Sequence, residues 1–515
     1  MTTHERTLSA APPGPLGYRR LLPGPGEAHL DRDARGGLTG SEEVLVTLAH
    51  LSDLHVCDAQ SPARAELLDR WVDPDSPICD VIGEVGTYRA QELLTAQVVE
   101  AMVRSLNAVR RGPAAGAPVD AALVTGDNTD NAQANEVDWY LALLDGGEVR
   151  PDSGDLTRWE GVASTTDEDD RYWHPERESP DLPRSRYGFP VVPGLLDAAR
   201  APFRATGLDL PWLAVHGNHD RLIQGTLPAE SWWARASTGT RRVVDLGPDI
   251  TPEEVVELVD SLDGCDPEAL ARLARGRSVR VTPDPTRRVI SREEFVAAHD
   301  RAGARPPRHG FPADGRTYYR HDLAGVRLLV MDTVNPYGGW QGSVDRDQWE
   351  WLCSELERAD ADHAYVVLAS HHPLDTWVNA HADPTRVLAP EMSTLIADHP
   401  SVVLWLNGHT HRTEIQARPG WWEVTCPSLI DWPQQGRVVE LLRGDGVLRV
   451  ACTMVDHCGE APWSGSVDEP AGMAGLSREL AANDWQGGRP EHLEHPPAGR
   501  RDDRNVLLTV ADPWA

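Results

Sequence analysis

Residues 44–55 read Val-Leu-Val-Thr-Leu-Ala-His-Leu-Ser-Asp-Leu-His, a β-rich apolar run that stops at a carboxylate and an imidazole, Asp53 and His55. A short apolar run bounded by polar residues reads as a buried strand. The same grammar recurs along the chain. Residues 120–125 run into Gly126-Asp127-Asn128-Thr129-Asp130, and residues 210–215 into His216-Gly217-Asn218-His219-Asp220. Residues 364–369 lead to Ser370-His371-His372-Pro373, and residues 402–406 to Asn407-Gly408-His409-Thr410-His411. Residues 326–331 form another such run, and 421–425, 437–442 and 447–455 read as further strands joined by short glycine turns. Between strands lie helical patterns. In 88–110, Leu94, Val98, Met102, Leu106 and Val109 make one apolar stripe, and 347–358 repeats it with Trp349, Leu352 and Leu356. Strands alternating with helices predict an α/β layered core.

In open α/β sheets, ligands bind beyond the carboxyl ends of the strands, so these five polar clusters are expected to converge on one crevice. In Asp53-x-His55 and His409-x-His411, alternate residues leave a strand end on the same side and can face one point. Mixed imidazole and carboxylate ligands suit Mn, Fe or Zn better than Mg or Ca. Seven such ligands are too many for one ion and suffice for two divalent transition-metal ions about 3.5–4 Å apart with a shared carboxylate. Two divalent cations carry four positive charges, of which Asp53 and Asp127 cancel two. The remainder favours a metal-held hydroxide and an anionic substrate.

The motifs DxH, GDN, GNHD, HH and GHxH, in this order, resemble those of the calcineurin-like metallophosphoesterase superfamily over roughly residues 44–450. The long intervals between motifs look like an actinobacterial subgroup. The resemblance implies a two-sheet α/β/β/α sandwich and hydrolysis of a phosphomonoester or phosphodiester by a metal-bridging hydroxide. It implies that Asp53, His55, Asp127 and His411 bind one metal, and that Asn218, His371 and His409 complete the second site with Asp127 bridging. It further implies that His219 serves as the catalytic acid, contacting the phosphate or leaving-group oxygen, with Asp220 fixing its ring. Asn128 and His372 are candidate substrate contacts. Two positions depart from the common pattern: Asn128 stands where an apolar residue is usual, and His216 where proline is usual. His50 and His216 are read as buried partners of the site. A nuclease on the same fold and a non-catalytic metal-binding module are the alternative readings.

Composition bears on these alternatives. The 515 residues carry 49 basic and 80 acidic side chains, a net charge of −31. Every one of the basic residues is arginine, which removes lysine chemistry such as Schiff bases and Walker-A loops. So acidic a chain disfavours nucleic acid as a partner, and a small phosphorylated substrate is expected instead, drawn by the residual charge of the two cations. The seven cysteines form no CxxC pair, which argues for a reducing compartment. No apolar run reaches membrane-spanning length, and Arg19-Arg20 is followed by only two leucines before proline and glycine. A cytoplasmic location is therefore expected, without the twin-arginine signal frequent in that subgroup. Residues 1–42 read as an irregular arm, 43–455 as the catalytic domain with insertions at about 57–87, 146–207 and 225–317, and 456–515 as an extension packing on the core. Helical patches are expected at 252–262, 266–274 and 292–298. The insertions are expected beside the crevice, with most of the 18 tryptophans serving as packing. Oligomeric state has no sequence signal.

Overall fold

The structure is a computed structural model that describes residues 1–82, 88–167, 169–223, 225–227, 232–263, 266, 271–272, 275–486 and 497–515. The amino-terminal residues form a hairpin, β1 (Arg6–Ala10) and β2 (Leu21–Pro25), then a short strand, β3 (Leu30–Asp31). The apolar runs follow as β4 (Glu43–Leu51) and β5 (Ala121–Val124). A small hairpin of β6 (Gly147–Val149) with β7 (Phe203–Ala205) precedes β8 (Trp212–Ala214), and another pairs β9 (Arg241–Asp245) with β10 (Arg277–Arg280). The second half supplies β11 (Tyr319–Leu323), β12 (Val326–Val330), β13 (Tyr365–Ala369), β14 (Val402–Asn407), β15 (Glu414–Arg418) and β16 (Trp421–Thr425). It ends with β17 (Gln435–Gly444), β18 (Val447–Asp456) and β19 (Val506–Ala511).

These strands build two principal sheets. One has seven strands in the order β3-β19-β18-β17-β4-β5-β8, and the other six in the order β11-β12-β13-β14-β16-β15. Within each lies a parallel block, β4-β5-β8 and β12-β13-β14-β16. The sheets face each other across one core that draws Leu328, Val330, Val367 and Ala369 from one sheet and Leu48, Leu123, Val439 and Val450 from the other. The period-two alternation of a strand sends the intervening Leu329, Val366 and Leu368 to the opposite face. There they pack with Leu352 and Leu356 of the helix Arg346–Ala361 and Met392 and Ile396 of the helix Ala389–Asp398. Helices Thr95–Ala108 and Ala134–Asp145 cover the seven-stranded sheet, with Val98, Met102, Val137 and Leu141 buried. The architecture is a four-layer α/β/β/α sandwich.

The ends of the chain are more integrated than their composition suggests. Residues 1–42, expected to be an irregular arm, contain three strands, and β3 pairs in parallel with β19. Residues 456–515, expected to be an extension packing on the core, supply β19, which pairs along β18 inside the seven-stranded sheet. The helix Pro470–Ala481 is buried along its length. Its Met473, Leu476 and Leu480 pack with Trp159, Trp173 and Phe189 of the 146–207 segment. A further cluster joins Leu67 and Leu68 to Leu222, Trp233, Val255 and Leu258, so the insertions carry small cores of their own. The expected patches at 252–262 and 292–298 are the helices Pro252–Asp263 and Arg292–Ala298. Most of the expected patch at 266–274 lies outside the described residues.

Candidate metal centre

The parallel strands deliver their polar ends to one place, and main-chain bonds lace the ends together. The Asp53 amide donates to Gly126 O at 3.0 Å and the His55 amide to Asp127 O at 2.9 Å. The Gly408 amide donates to His371 O at 2.9 Å, and the His409 amide to the Asp53 carboxylate at 3.0 Å. The fit is tight enough to demand glycine: a Cβ on Gly408 would collide with Ser52 and Asp53, and one on Gly217 with Asp127. Asp53, His55, Asp127, His409 and His411 all have positive φ, between 43° and 70°. Such backbone costs energy in a non-glycine residue and clusters at functional sites.

Ligand atoms of Asp53, His55, Asp127 and His411 lie within 4.8 Å of one another. His55 Nε2 is 3.0 Å from His411 Nε2 and 3.8 Å from Asp127 Oδ2, and His411 Nε2 is 3.4 Å from Asp53 Oδ1. Beside this set, Asn218 Oδ1 lies 2.9 Å from His371 Nε2 and 3.0 Å from His409 Nδ1. Asp127 Oδ2, 3.2 Å from His371 Nε2, stands between the two sets. All seven expected ligands are thus brought together, with Asp127 in the shared position.

The donor set fits cations by its outer partners. Three imidazoles have Nδ1 committed to an acceptor: His55 to Asp130 Oδ1 at 2.9 Å, His371 to Thr125 O at 2.8 Å and His411 to Asp431 Oδ2 at 2.6 Å. Each therefore turns Nε2 inward, the arrangement that orients histidine ligands. Burial opposes charge on His411, but Asp431 and Asp53 hold its pKa up at about 10. Burial likewise opposes charge on His371, and Asp127 and Asp53 raise it to about 9. Burial, with the neighbouring His219, lowers His55 to about 4, and burial with His372 nearby drives His409 well below its ordinary value. Burial also opposes charge on Asp127, yet His371 and His219 hold it well below the usual carboxylate range. The two raised imidazoles, His411 and His371, thus lie one in each set, each beside carboxylates that favour a positive charge there.

Three expected roles are corrected by the contacts. Asp220 does not fix the His219 ring. Its carboxylate accepts from the amides of Gly217, Asn128 and Thr129, from Asn128 Nδ2 at 2.7 Å and from Thr129 Oγ1 at 3.0 Å. It clamps the GDN turn to the GNHD turn. The His219 ring instead leans on Asp130, with Nδ1 3.1 Å from Asp130 O and 3.4 Å from its Oδ1. Asn128 is no substrate contact, because its Nδ2 donates inward to Val215 O and Asp220 and the residue is buried. His372 is buried with both nitrogens engaged, Nδ1 with Thr333 Oγ1 at 2.7 Å and Nε2 donating to Trp340 O at 2.8 Å. His50 and His216 are buried beside the site as expected, His50 Nε2 lying 2.9 Å from Thr125 Oγ1.

Two participants escaped the sequence reading. Asp431 follows β16 by six residues, and extending the strand-end rule to that strand would have reached it. Arg64, from the first insertion, donates to Asp130 Oδ2 at 2.5 Å and Glu92 Oε2 at 2.7 Å, so it braces the carboxylate behind His55 and His219. A lone arginine in a polar loop gives no sequence signal for that role.

No protein-family model and no curated protein sequence matches this chain. Among solved structures, it is similar to a dimetal phosphatase from Danio rerio, at 12% identity and TM-score 0.35, over 81% of this chain and 100% of that one. It is also similar to GAP50, the anchor in the inner membrane complex of Plasmodium, at 11% identity and TM-score 0.29, over 82% of this chain and 87% of that one. A Staphylococcus aureus protein assigned as a 5′-nucleotidase, solved with alpha-ketoglutarate, aligns over 34% of each chain at 12% identity and TM-score 0.20.

Proposed function

We propose that the chain is a dinuclear-metal-dependent phosphoesterase of the calcineurin-like type, acting on small phosphorylated substrates. The observation that carries this reading is the pair of ligand sets sharing Asp127, with outer acceptors turning three Nε2 atoms inward. Asp53, His55, Asp127 and His411 would hold one divalent transition-metal ion, and Asp127, Asn218, His371 and His409 the other. Bound there, such ions polarise phosphoryl oxygens and activate water. His219 has its amide tied to Asp127 Oδ1 at 2.7 Å and its Nδ1 to Asp130, so Nε2 is the nitrogen that can reach a leaving-group oxygen and pass it a proton. Asp130 and Arg64 are positioning residues for that ring. Asp220 fixes the turn on which it stands. The assignment to an actinobacterial subgroup, the cytoplasmic location and the 43–455 domain bounds rest on the sequence pattern; among the described residues, no helix is long and apolar enough to cross a membrane.

The test is metal analysis of the full chain after reconstitution with Mn, Fe or Zn, beside assays on aryl phosphomonoesters and phosphodiesters. Two ions per chain are expected, with hydrolysis abolished by chelator and restored by metal. A single ion at saturation, or full activity in chelator, sinks the reading.

A further inference from the structure

The segment 333–343, Thr-Val-Asn-Pro-Tyr-Gly-Gly-Trp-Gln-Gly-Ser, contains no charged residue, although a quarter of the whole chain is charged. It follows the end of β12 and brings Trp340 against the edge of the candidate centre. The Trp340 ring is stacked on His409, with centroids 5.8 Å apart and planes 26° from parallel. Among the described residues, few large apolar side chains are exposed. Yet Tyr337 (51% exposed), Trp340 (36%) and Val378 (61%) occur together on two segments that Asn379 ties to each other. Asn379 Nδ2 donates to Gly338 O and Gln341 O, and its Oδ1 accepts from Asn335 Nδ2 at 2.9 Å.

The platform is held at fixed height. His372, next to the proposed ligand His371, donates to Trp340 O, and Arg221, next to the GNHD motif, donates to Pro336 O at 2.8 Å. Gly339 has φ +84°, and a Cβ there would come within 2.6 Å of Asn379 Nδ2. A rigid, uncharged, partly exposed indole is thus pinned to the ring of a candidate ligand by the site's own neighbours. Aromatic faces of this kind favour offset stacking with another planar ring.

We propose that Trp340, flanked by Tyr337, is the specificity element of the site, and that it selects phosphoesters whose leaving group is an aryl alcohol, with the planar ring joined directly to the ester oxygen. The inference rests on the phosphoesterase reading and names the substrate class for the same centre. A phosphoryl group seated at the cations leaves a ring one or two bonds away within reach of the indole. The uncharged loop imposes no charge repulsion on that ring.

Calorimetric binding of phenylphosphonate and methylphosphonate to the metal-loaded full-length protein tests the proposal without turnover. Wild type should bind the phenyl compound more tightly. Trp340→Ala should weaken phenylphosphonate about tenfold and leave methylphosphonate unchanged, with metal content intact, while Trp340→Phe should keep most of the preference. Equal weakening of both compounds, or no change in either, overturns the proposal. Failure of wild type to bind either phosphonate or hydrolyse any phosphoester overturns the phosphoesterase reading and this inference with it. Hydrolysis without aryl preference overturns the inference alone.

Discussion

Asp127 Oδ2 approaches both ligand sets, at 3.2 Å from His371 and 3.8 Å from His55, and the charges on the neighbouring imidazoles make a measurable claim. With His371 held at about 9 and His411 at about 10, both imidazoles are charged near pH 7.5. Binding two cations should therefore release about two protons per chain, since metal ligands must be deprotonated. Calorimetry in buffers of different ionisation enthalpy reads that number, and a value near zero would refute the assignment of these two histidines. Metal affinity should climb with pH by roughly tenfold per unit for each proton released, and flatten above about pH 10. In the metal-free chain the sign is the opposite. The two raised imidazoles stabilise the fold fully below their unfolded value of ~6.5. That contribution is lost as pH rises through about 9 and about 10. A second pair of residues separates chemistry from scaffold. His219→Ala should cost ~10²–10⁴ in rate on alkyl phosphates, less on nitrophenyl phosphate, with metal content unchanged. Asp220→Ala strands several buried donors and should lower unfolding stability by about 3 kcal/mol or more, measured by denaturant titration.

At the scale of the element, the strand ends carry positive φ at five of the seven proposed ligands, Asp53, His55, Asp127, His409 and His411. This reverses a familiar order of stability. At His409, with φ 70°, the Gly variant should be more stable than the Ala variant by about 1 kcal/mol, whereas glycine normally loses that comparison. Equal midpoints for the two variants would mean the turn is not strained. The same strand ends explain what could be read in advance. Apolar runs ending at Asp53, Asp127, Asn218, His371 and His409 announced both the buried strands and the convergence of these residues, because strand burial and strand-end polarity are local in sequence. The roles of Asp220 and Asp130 were not local. Both follow a glycine motif in the chain, and only the packing of one turn against another decides which carboxylate meets His219 and which meets the amides of Asn128 and Thr129. β15 and the hairpin β1–β2 went unread for a different reason. They are edge or surface strands, half exposed, with no continuous apolar run to reveal them.

For the molecule as a whole, the strand furthest along the described residues is an inner member of the larger sheet. β19 lies between β18 and β3, with Val506 and Leu508 fully buried, and Glu479 from the same terminal stretch is buried against Arg20. Removing 456–515 would open the β18 edge and strip the cover from Trp173 and Phe189. The truncated chain should be insoluble or aggregate, as gel filtration would show; a soluble, folded product would mean that β19 is dispensable to the sheet. The ring of outer acceptors around the ligands has a bearing on how the protein acquires its ions. Asp130, Asp431 and Thr125 orient three imidazoles through contacts that involve no cation. Loading should then require no reorientation of these three rings, whose Nε2 atoms already face inward. Dialysis of the folded protein should suffice to exchange one metal for another, and the resident ion will reflect which cations the surroundings offer.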